Sequence, residues 1–463
     1  MNNHIIEQLI ELVGKDYVSS DPSDLKEYGQ DWSKIFEPNA SVIVRPKTTE
    51  QVQEIVKLAN KEAFAVVPSG GRTGLSGGAC ATNGEVVLSL DRMNEILSIN
   101  SIDRTLQCQA GTITKQIQEF ASEHHLYYPV DFASTGSSQI GGNIATNAGG
   151  IKVIRWGMTR DWIVGLKVVT GTGELLDLNS GLVKNATGYD LRHLIIGSEG
   201  TLGIVVEATI KLTTPPKDLT VMVLGLDQLS DVYPVMETFQ QKLNLTAFEF
   251  FSEQALSKVL EHHELQRPFE STSNFYILVE FENDSESTMD IAFECFEQAM
   301  EQGWVVDGVI SQSESQAETL WALRERISES ISVHTPYKND ISVIPSKVAE
   351  FLSSVDEIVA KEYPDFEIIW FGHIGDGNLH LNILRPDDLT IDQFVEQCRR
   401  VNPLIFDKIK QLDGSISAEH GVGLVKKDYL PYSRSEVEIA LMKSIKAAFD
   451  PKGILNPGKL FDQ

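Results

Sequence analysis

Glycine is spread unevenly along this chain, and that unevenness limits the fold more than any other feature. Five glycines fall in "PSGGRTGLSGGA" at 68–79, others cluster in "DFASTGSSQIGGNIATNAGG" at 131–150, and others again in "GSEGTLGIV" at 197–205. From 226 to 371 only Gly303 and Gly308 occur; glycine then returns at 372–377 and 414–423. Glycine serves where the backbone must turn sharply or approach something closely. The chain therefore reads as Gly-rich, ligand-approaching segments on either side of a packed, glycine-poor scaffold.

At 463 residues the chain exceeds one ordinary core. With 42% hydrophobic and 23% charged residues, its composition is globular. A formal net charge of −27 argues against nucleic acid and against an anionic membrane surface as partners. A local basic pocket for a small anion is compatible with it. No apolar run approaches the roughly 18 residues of a membrane span. The opening "MNNHIIEQLIELVG" reads as a short amphipathic helix and lacks the layout of a signal peptide. Cys80, Cys108, Cys295 and Cys398 are far apart and form no CxxC, which disfavours an iron–sulfur cluster, a zinc ribbon or a disulfide framework. Reduced thiols in the cytoplasm are the simplest reading.

Short strands and helices alternate from residue 41. "SVIVRP", "FAVVP", "EVVLSL", "TLQCQAG" and "GIVVEATIKL" read as strands; "TTEQVQEIVKLANKE" and "TITKQIQEFASEHH" read as helices, the first capped by Thr. The segment 129–150 reads as loop. "VGLKVVTGTGELLDL" reads as a hairpin turning at Gly171-Thr172-Gly173. "TTPP" at 213–216 marks a boundary, beyond which acidic helices and strands such as "NFYILVEFEN" take over.

The first Gly-rich loop is neither GxxxxGK[ST] nor GxGxxG opening a helix. Its backbone N–H groups can instead face an anion, a diphosphate being the natural guest; the bland alternative is a long surface turn. The second loop is built of residues small enough for a flat ligand to lie against the backbone, with Ser134, Thr135, Ser137, Asn143 and Asn147 able to bond its polar edges. Three such loops argue for one extended ligand over three unrelated turns.

"GHIGDGNLH" at 372–380 sets two histidines around a tight turn. A type I′ turn at Asp376-Gly377 would pair Gly375 with Asn378, Ile374 with Leu379 and His373 with His380, Cβ atoms roughly 5 Å apart on one face. Two such imidazoles can share a metal ion. A catalytic zinc takes three protein ligands and keeps one open position. "SAEHGVG" at 417–423 offers a third ligand in Glu419 or His420, whose side chains need not point the same way. A single strand histidine is usually a core or surface residue; two opposite one another, with a Glu-His pair flanked by glycines elsewhere, form a rarer combination. His124-His125 and His262-His263 read as surface.

In "ETLWALRERISES", 318–330, Leu320, Leu323, Ile327 and Ile331 share a helical stripe. Arg324 borders it at roughly 55° and Arg326 lies about 105° away. A charge at the border of a buried face needs an anionic partner, so Arg324 is a candidate clamp, while Arg326 reads as solvated. Ser328 lies one turn along the same edge, and Lys338 follows in "PYKNDISVIP".

The three small-residue loops, in this order, resemble the FAD-binding domain of the vanillyl-alcohol oxidase / p-cresol methylhydroxylase flavoproteins. "WALRERI", "GHIGDGNLH", "SAEHGVG" and "DPKGILNPGKL" narrow the resemblance to its FAD-linked D-2-hydroxyacid dehydrogenases, most like the D-2-hydroxyglutarate dehydrogenases, with D-lactate dehydrogenases and the glycolate oxidase flavin subunit as relatives. The resemblance implies an α+β fold: an N-terminal helical segment (1–36), an FAD-binding domain of two α+β subdomains (37–216), a substrate or cap domain with a large antiparallel sheet flanked by helices and carrying the metal site (217–420), and a helical C-terminal segment returning to the FAD domain (421–463). Some relatives attach FAD through a histidine in the first loop. Arg72 and no histidine stand in this one, so FAD is expected to bind non-covalently.

Carried onto this sequence, the resemblance gives FAD to Pro68, Ser69, Gly70, Gly71, Arg72, Thr73, Gly74, Gly77 and Gly78. From the second loop it adds Asp131, Ser134, Thr135, Gly136, Gly141, Gly142, Asn143, Thr146, Asn147 and Gly149, and beyond it Glu199, Gly200, Gly203, Ile204 and Asn456. It gives Zn²⁺ or another divalent metal to His373, His380 and Glu419. The substrate falls to Arg324, Ser328, Lys338, Asn382 and His420, with His420 as catalytic base. The implied reaction oxidises a D-2-hydroxy acid, D-2-hydroxyglutarate or D-malate, to the 2-keto acid, with hydride passing to flavin N5. Electrons go on to an electron-transfer flavoprotein or a quinone-linked acceptor. A D-lactate or glycolate dehydrogenase of the same superfamily is the nearest alternative. A zinc hydrolase, a non-catalytic flavin subunit and an oxidase reducing O₂ directly are the others. No nucleic acid partner and no integral membrane segment are expected. The expected location is the cytoplasm, or the periphery of the inner membrane through the acceptor. The oligomeric state is left open, a homodimer included.

Overall fold

The structure is a computed structural model and describes residues 2–462. The chain divides into two compact units. One takes in the residues up to Gly149, Gly157–Pro215 and those from Glu419 onward; the other takes in Gly150–Trp156 and Pro216–Ala418.

The first unit contains two sheets. β1 (Val18–Ser19), β2 (Val42–Val44), β3 (Val66–Ser69) and β4 (Val86–Ser89) lie in the order β1-β2-β4-β3. β4 runs parallel to β2 and β3, with β1 antiparallel at the edge. Every residue of β2 and β4 is buried. Their unalternating apolar runs are what parallel strands covered on both faces require. The helix Thr49–Glu62 connects β2 to β3. Thr48 caps it by accepting the Gln51 amide, and Val52, Ile55, Val56 and Ala59 form its buried stripe. The second sheet is antiparallel: β5 (Ile96–Asn100), β6 (Thr105–Gln109), β7 (Ile163–Thr170), β8 (Leu175–Ser180) and β9 (Gly203–Lys211), in the order β5-β6-β9-β7-β8. The β7–β8 hairpin turns at 171–173, as the sequence indicates, closed by Thr170 N donating to Glu174 O at 2.9 Å.

The helix Glu436–Phe449 belongs to this unit and ends in a buried ion pair. Lys446 pairs with Asp450, and its ammonium also donates to Thr201 O and Leu455 O, each at 2.7 Å. The carboxylate of Asp450 in turn accepts the amides of Ile454 and Leu455. One lysine thus ties the C-terminal segment to the third Gly-rich loop.

The second unit is built on one antiparallel sheet of seven strands: β10 (Leu219–Leu226), β11 (Leu245–Ser252), β12 (Phe275–Glu282), β13 (Asp307–Ile310), β14 (Tyr337–Ser342), β15 (Ile368–Gly372) and β16 (Asn378–Ile383), in the order β13-β10-β12-β11-β15-β16-β14. One face packs Ala247, Phe251, Tyr276, Leu278, Ile369 and Phe371 against Leu256, Leu320, Trp321, Leu323, Ile327 and Ile331 of the covering helices. The stripe read from 318–330 is therefore the buried one. β11 is buried along its whole length, Glu249 included. Two sheets in the first unit and one large antiparallel sheet in the second bear out the expected α+β architecture.

Two local readings are corrected. First, Phe371, not His373, pairs with His380. The turn is longer than two residues: Ile374–Asp376 form a 3₁₀ turn ending in Gly377 at φ 85°, and Asn378 N bonds back to His373 O. The shift is even, so both histidines keep the face that the sequence reading gave them. Second, the loop at 129–150 contains the short helix Ile140–Thr146, ended by Asn147 at φ 52°. Two adjacent glycines hid it, since glycine is a poor helix former.

Candidate active site

A cleft in the first unit is walled by all three Gly-rich loops. Pro68, Ser69, Gly70, Gly71, Arg72, Thr73, Gly74 and Gly78 line it from the first loop; Gly141, Gly142, Asn143 and Thr146 from the second; and Glu199, Gly200, Gly203 and Ile204 from the third, with Asn456 from the C-terminal segment. The loops approach so closely that a Cβ on Gly71 would lie 2.2 Å from Ser137 O, a contact that only glycine permits.

The cleft fits a nucleotide cofactor. Four buried polar atoms in its lining, Ser69 Oγ, Gln139 Oε1, Ser198 Oγ and Asn456 Oδ1, have no hydrogen-bond partner among the described residues. Orphan polar atoms in a native interior call for a partner, and the edge of a bound heterocycle provides one. A Cβ on Gly142 would meet nothing within 4 Å beyond its chain neighbours and its own helix backbone. Asn456 Oδ1 is aimed by its own amide, which donates to Gly78 O at 2.9 Å and Glu199 O at 2.7 Å. Arg72 lines the cleft at φ 58°. Its guanidinium lies over the Tyr28 ring at 4.2 Å and 3.7 Å from Asp91.

Gly77, Asp131, Ser134, Thr135, Gly136, Asn147 and Gly149 do not line the cleft. Gly77 N donates to Asp31 at 2.7 Å. Residues 132–138 turn on themselves, and Thr135 O and Ser138 O accept the Lys115 and Thr114 amides, satisfying the start of helix Thr114–Glu123. Asn147 Oδ1 accepts the Arg160 amide at 2.9 Å. Ser76, Gln139 and Ser198 line the cleft and escaped sequence reasoning. The signal was their position inside or beside the loops already singled out.

His420 also lines this cleft. Ser76 Oγ lies 2.8 Å from His420 O and 2.9 Å from Gly421 O. The Glu199 carboxylate accepts the amides of Val422 and Gly423 at 2.7 and 2.8 Å. Burial raises the pKa of Glu199, and those two amides offset part of that rise. A Cβ on Gly423 would lie 2.0 Å from Ser76 O, so glycine there lets the 420–423 segment press against the first loop. Glu419 precedes this segment and is half-buried.

The second unit carries the other expected residues on one face. Asp340, His380 and Phe371 stand side by side across β14, β16 and β15, and Lys338, Asn382 and Ile369 form the next row but one. The ring centroids of His373 and His380 are 5.3 Å apart, with planes at 86°. Arg324 is buried and lies over the Phe371 ring at 4.8 Å; Asn382 is buried, while Ser328 and Lys338 are exposed and joined at 3.2 Å. Arg326 is exposed and lies 2.9 Å from His263 Nδ1, as read from the helix wheel.

Two buried carboxylates organise this face. Glu249 Oε1 and Oε2 lie 2.8 and 2.9 Å from His373 Nδ1, and Oε2 lies 2.7 Å from Arg324 Nη2. Burial pushes the Glu249 carboxyl up, but His373 and Arg324 together hold it below the usual range. Arg324 Nε has no hydrogen-bond partner among the described residues. Glu280 binds Lys152, Thr246 and, at 2.8 Å, Trp321 Nε1. Imidazole held at Nδ1 presents Nε2 as its basic nitrogen, so the donor set of two imidazoles suits a divalent cation such as zinc.

No helix among the described residues is long and apolar enough to cross a membrane. Residues 40–179 match the FAD binding domain family, and residues 215–460 match the FAD linked oxidases, C-terminal domain. A protein named D-2-hydroxyglutarate dehydrogenase from Stutzerimonas stutzeri is 59% identical over 99% of this chain and 98% of its own length. One of the same name from Xanthomonas citri pv. viticola is 54% identical over 96% and 94%. The crystal structure of p-cresol methylhydroxylase with substrate bound superposes with a TM-score of 0.78 at 14% identity, over 99% of this chain and 97% of that one. The last likeness bears on fold alone. With its two domain matches and with relatives similar from end to end, this chain belongs to the FAD-linked oxidase family, alongside the proteins named D-2-hydroxyglutarate dehydrogenase.

Proposed function

We propose that the chain is a dehydrogenase dependent on FAD and a divalent metal, zinc in the first place, that oxidises D-2-hydroxyglutarate to the 2-keto acid. The observation that carries this reading is His420, a histidine in the wall of the cleft formed by the three FAD-type loops and held there through Ser76. The end-to-end similarity to relatives of that name supports the substrate.

FAD, when bound, supplies the two-electron acceptor for the hydride leaving C2. His373, His380 and Glu419 would hold a divalent cation, which would supply Lewis acidity toward a hydroxyl. His420 takes the hydroxyl proton on an imidazole nitrogen as general base. Arg324 binds one carboxylate with directed hydrogen bonds, for which its unpartnered Nε is suited. Lys338 and Ser328, linked to one another, with Asn382 in the strand beside them, take the second carboxylate. Two cations on one face favour a dicarboxylate over D-lactate or glycolate. An electron-transfer flavoprotein or a quinone-linked acceptor would take the electrons onward.

The test is anaerobic titration of the purified protein, followed in the visible flavin band, with D-2-hydroxyglutarate, D-malate, D-lactate and glycolate. D-2-hydroxyglutarate should bleach the band most efficiently. A colourless protein, or bleaching equal for glycolate and D-2-hydroxyglutarate, would contradict the reading.

A further inference from the structure

Glu249 is an acid placed in the middle of a strand that is buried at every position. A buried carboxylate is costly unless paired and hydrogen-bonded, and this one meets two residues that the dehydrogenase reading assigns to different tasks. One of its oxygens lies 2.8 Å from Nδ1 of His373; the other lies 2.7 Å from Nη2 of Arg324 and 2.9 Å from the same Nδ1. The register of β11 against β15 brings this about. Phe250 pairs with Gly372 and Phe251 with Phe371, so Glu249 stands across from His373.

We propose that Glu249 is a positioning residue that couples metal binding to carboxylate binding: one carboxylate fixes the Nδ1–H form and orientation of His373 and, through its other oxygen, the orientation of the Arg324 guanidinium. The inference rests on the dehydrogenase reading above. A carboxylate behind a ligating histidine raises ligand basicity and orients the ring. An ion pair from its other oxygen to Nη2 holds the arginine in place before substrate arrives. Glu249 touches neither substrate nor cofactor. Its removal therefore weakens two binding events through the residues that make them.

The test compares Glu249→Gln with the unaltered holoprotein. Zinc affinity is measured by competition with a chromophoric chelator, KM for D-2-hydroxyglutarate by steady-state assay at saturating zinc, and FAD content by absorbance. Glu249→Gln should keep its FAD, bind zinc about 10–100-fold more weakly and show a KM raised by more than kcat is lowered. Parental zinc affinity, or a parental KM, overturns the coupling while leaving the dehydrogenase reading intact. If the unaltered protein binds no zinc, or binds it equally after His373→Ala, the metal site itself fails and the inference falls with it. A ¹⁵N-histidine spectrum of unaltered protein decides the matter should Glu249→Gln not fold. The signal lost in His373→Asn should carry a proton on Nδ1, and a bare Nδ1 overturns the proposal.

Discussion

Ser76 Oγ sits 2.8 Å from the carbonyl oxygen of His420, a residue 344 positions away in sequence. The first Gly-rich loop thereby fixes the backbone of the proposed base, so one segment serves both the cofactor cleft and proton transfer. Ser76→Ala removes a hydrogen bond worth about 0.5–1.5 kcal/mol while leaving the loop glycines in place. FAD content should stay parental, and the rate of flavin reduction in stopped flow should fall about 3–10-fold. An unchanged rate would show that the histidine is positioned without this contact.

His420→Ala should keep the visible spectrum of the parent and lose flavin reduction by about 10²–10⁴-fold, the range of a general base. Comparing the anaerobic spectrum before and after D-2-hydroxyglutarate is sufficient. Reduction at the parental rate would remove His420 from the mechanism.

Lys338→Met preserves length and deletes charge. If Lys338 binds the second carboxylate, the loss falls on dicarboxylates: kcat/KM for D-2-hydroxyglutarate and D-malate should drop about 10–100-fold, the worth of a hydrogen bond to a charged group. D-lactate, with a single carboxylate, should change far less. Equal losses on all three would assign Lys338 a structural role.

Lys446→Met leaves Asp450 buried without its cation and frees the carbonyls of Thr201 and Leu455. Breaking such a pair costs about 3–5 kcal/mol. Calorimetry of the holoprotein should show a clear fall in melting temperature, and gel filtration should show loss of FAD, because Asn456 and the third loop share this anchor. A parental melting temperature and FAD content would show that the C-terminal segment holds without it.

Glycine distribution and apolar runs were enough to read most strands of the first unit, though not β1 or β5, together with the β7–β8 hairpin and the stripe of Leu320, Leu323, Ile327 and Ile331, because each rests on local periodicity. The His373–His380 hairpin was legible in face but not in register: Gly377 does take a positive φ, but inside a longer 3₁₀ turn. Glu249 and Glu280 left no trace. A glutamate in "LTAFEFFS" or "FYILVEFE" looks like the polar side of an alternating strand, and only burial of both sheet faces reveals it as an interior anion. The turn at 132–138 was not legible either: its carbonyls at Thr135 and Ser138 serve the start of the helix Thr114–Glu123, a contact distant in sequence.

The central claim, that a histidine base and a bound metal together assist hydride transfer from a hydroxy acid to flavin, is tested most directly by single-turnover flavin reduction with D-2-hydroxyglutarate, before chelation, after chelator removal of metal, and after zinc is restored. The account expects the FAD spectrum to survive chelation, bleaching to fail in the metal-stripped protein, and zinc to bring it back. Bleaching at an undiminished rate in the stripped protein, with metal absence verified by elemental analysis, would contradict it.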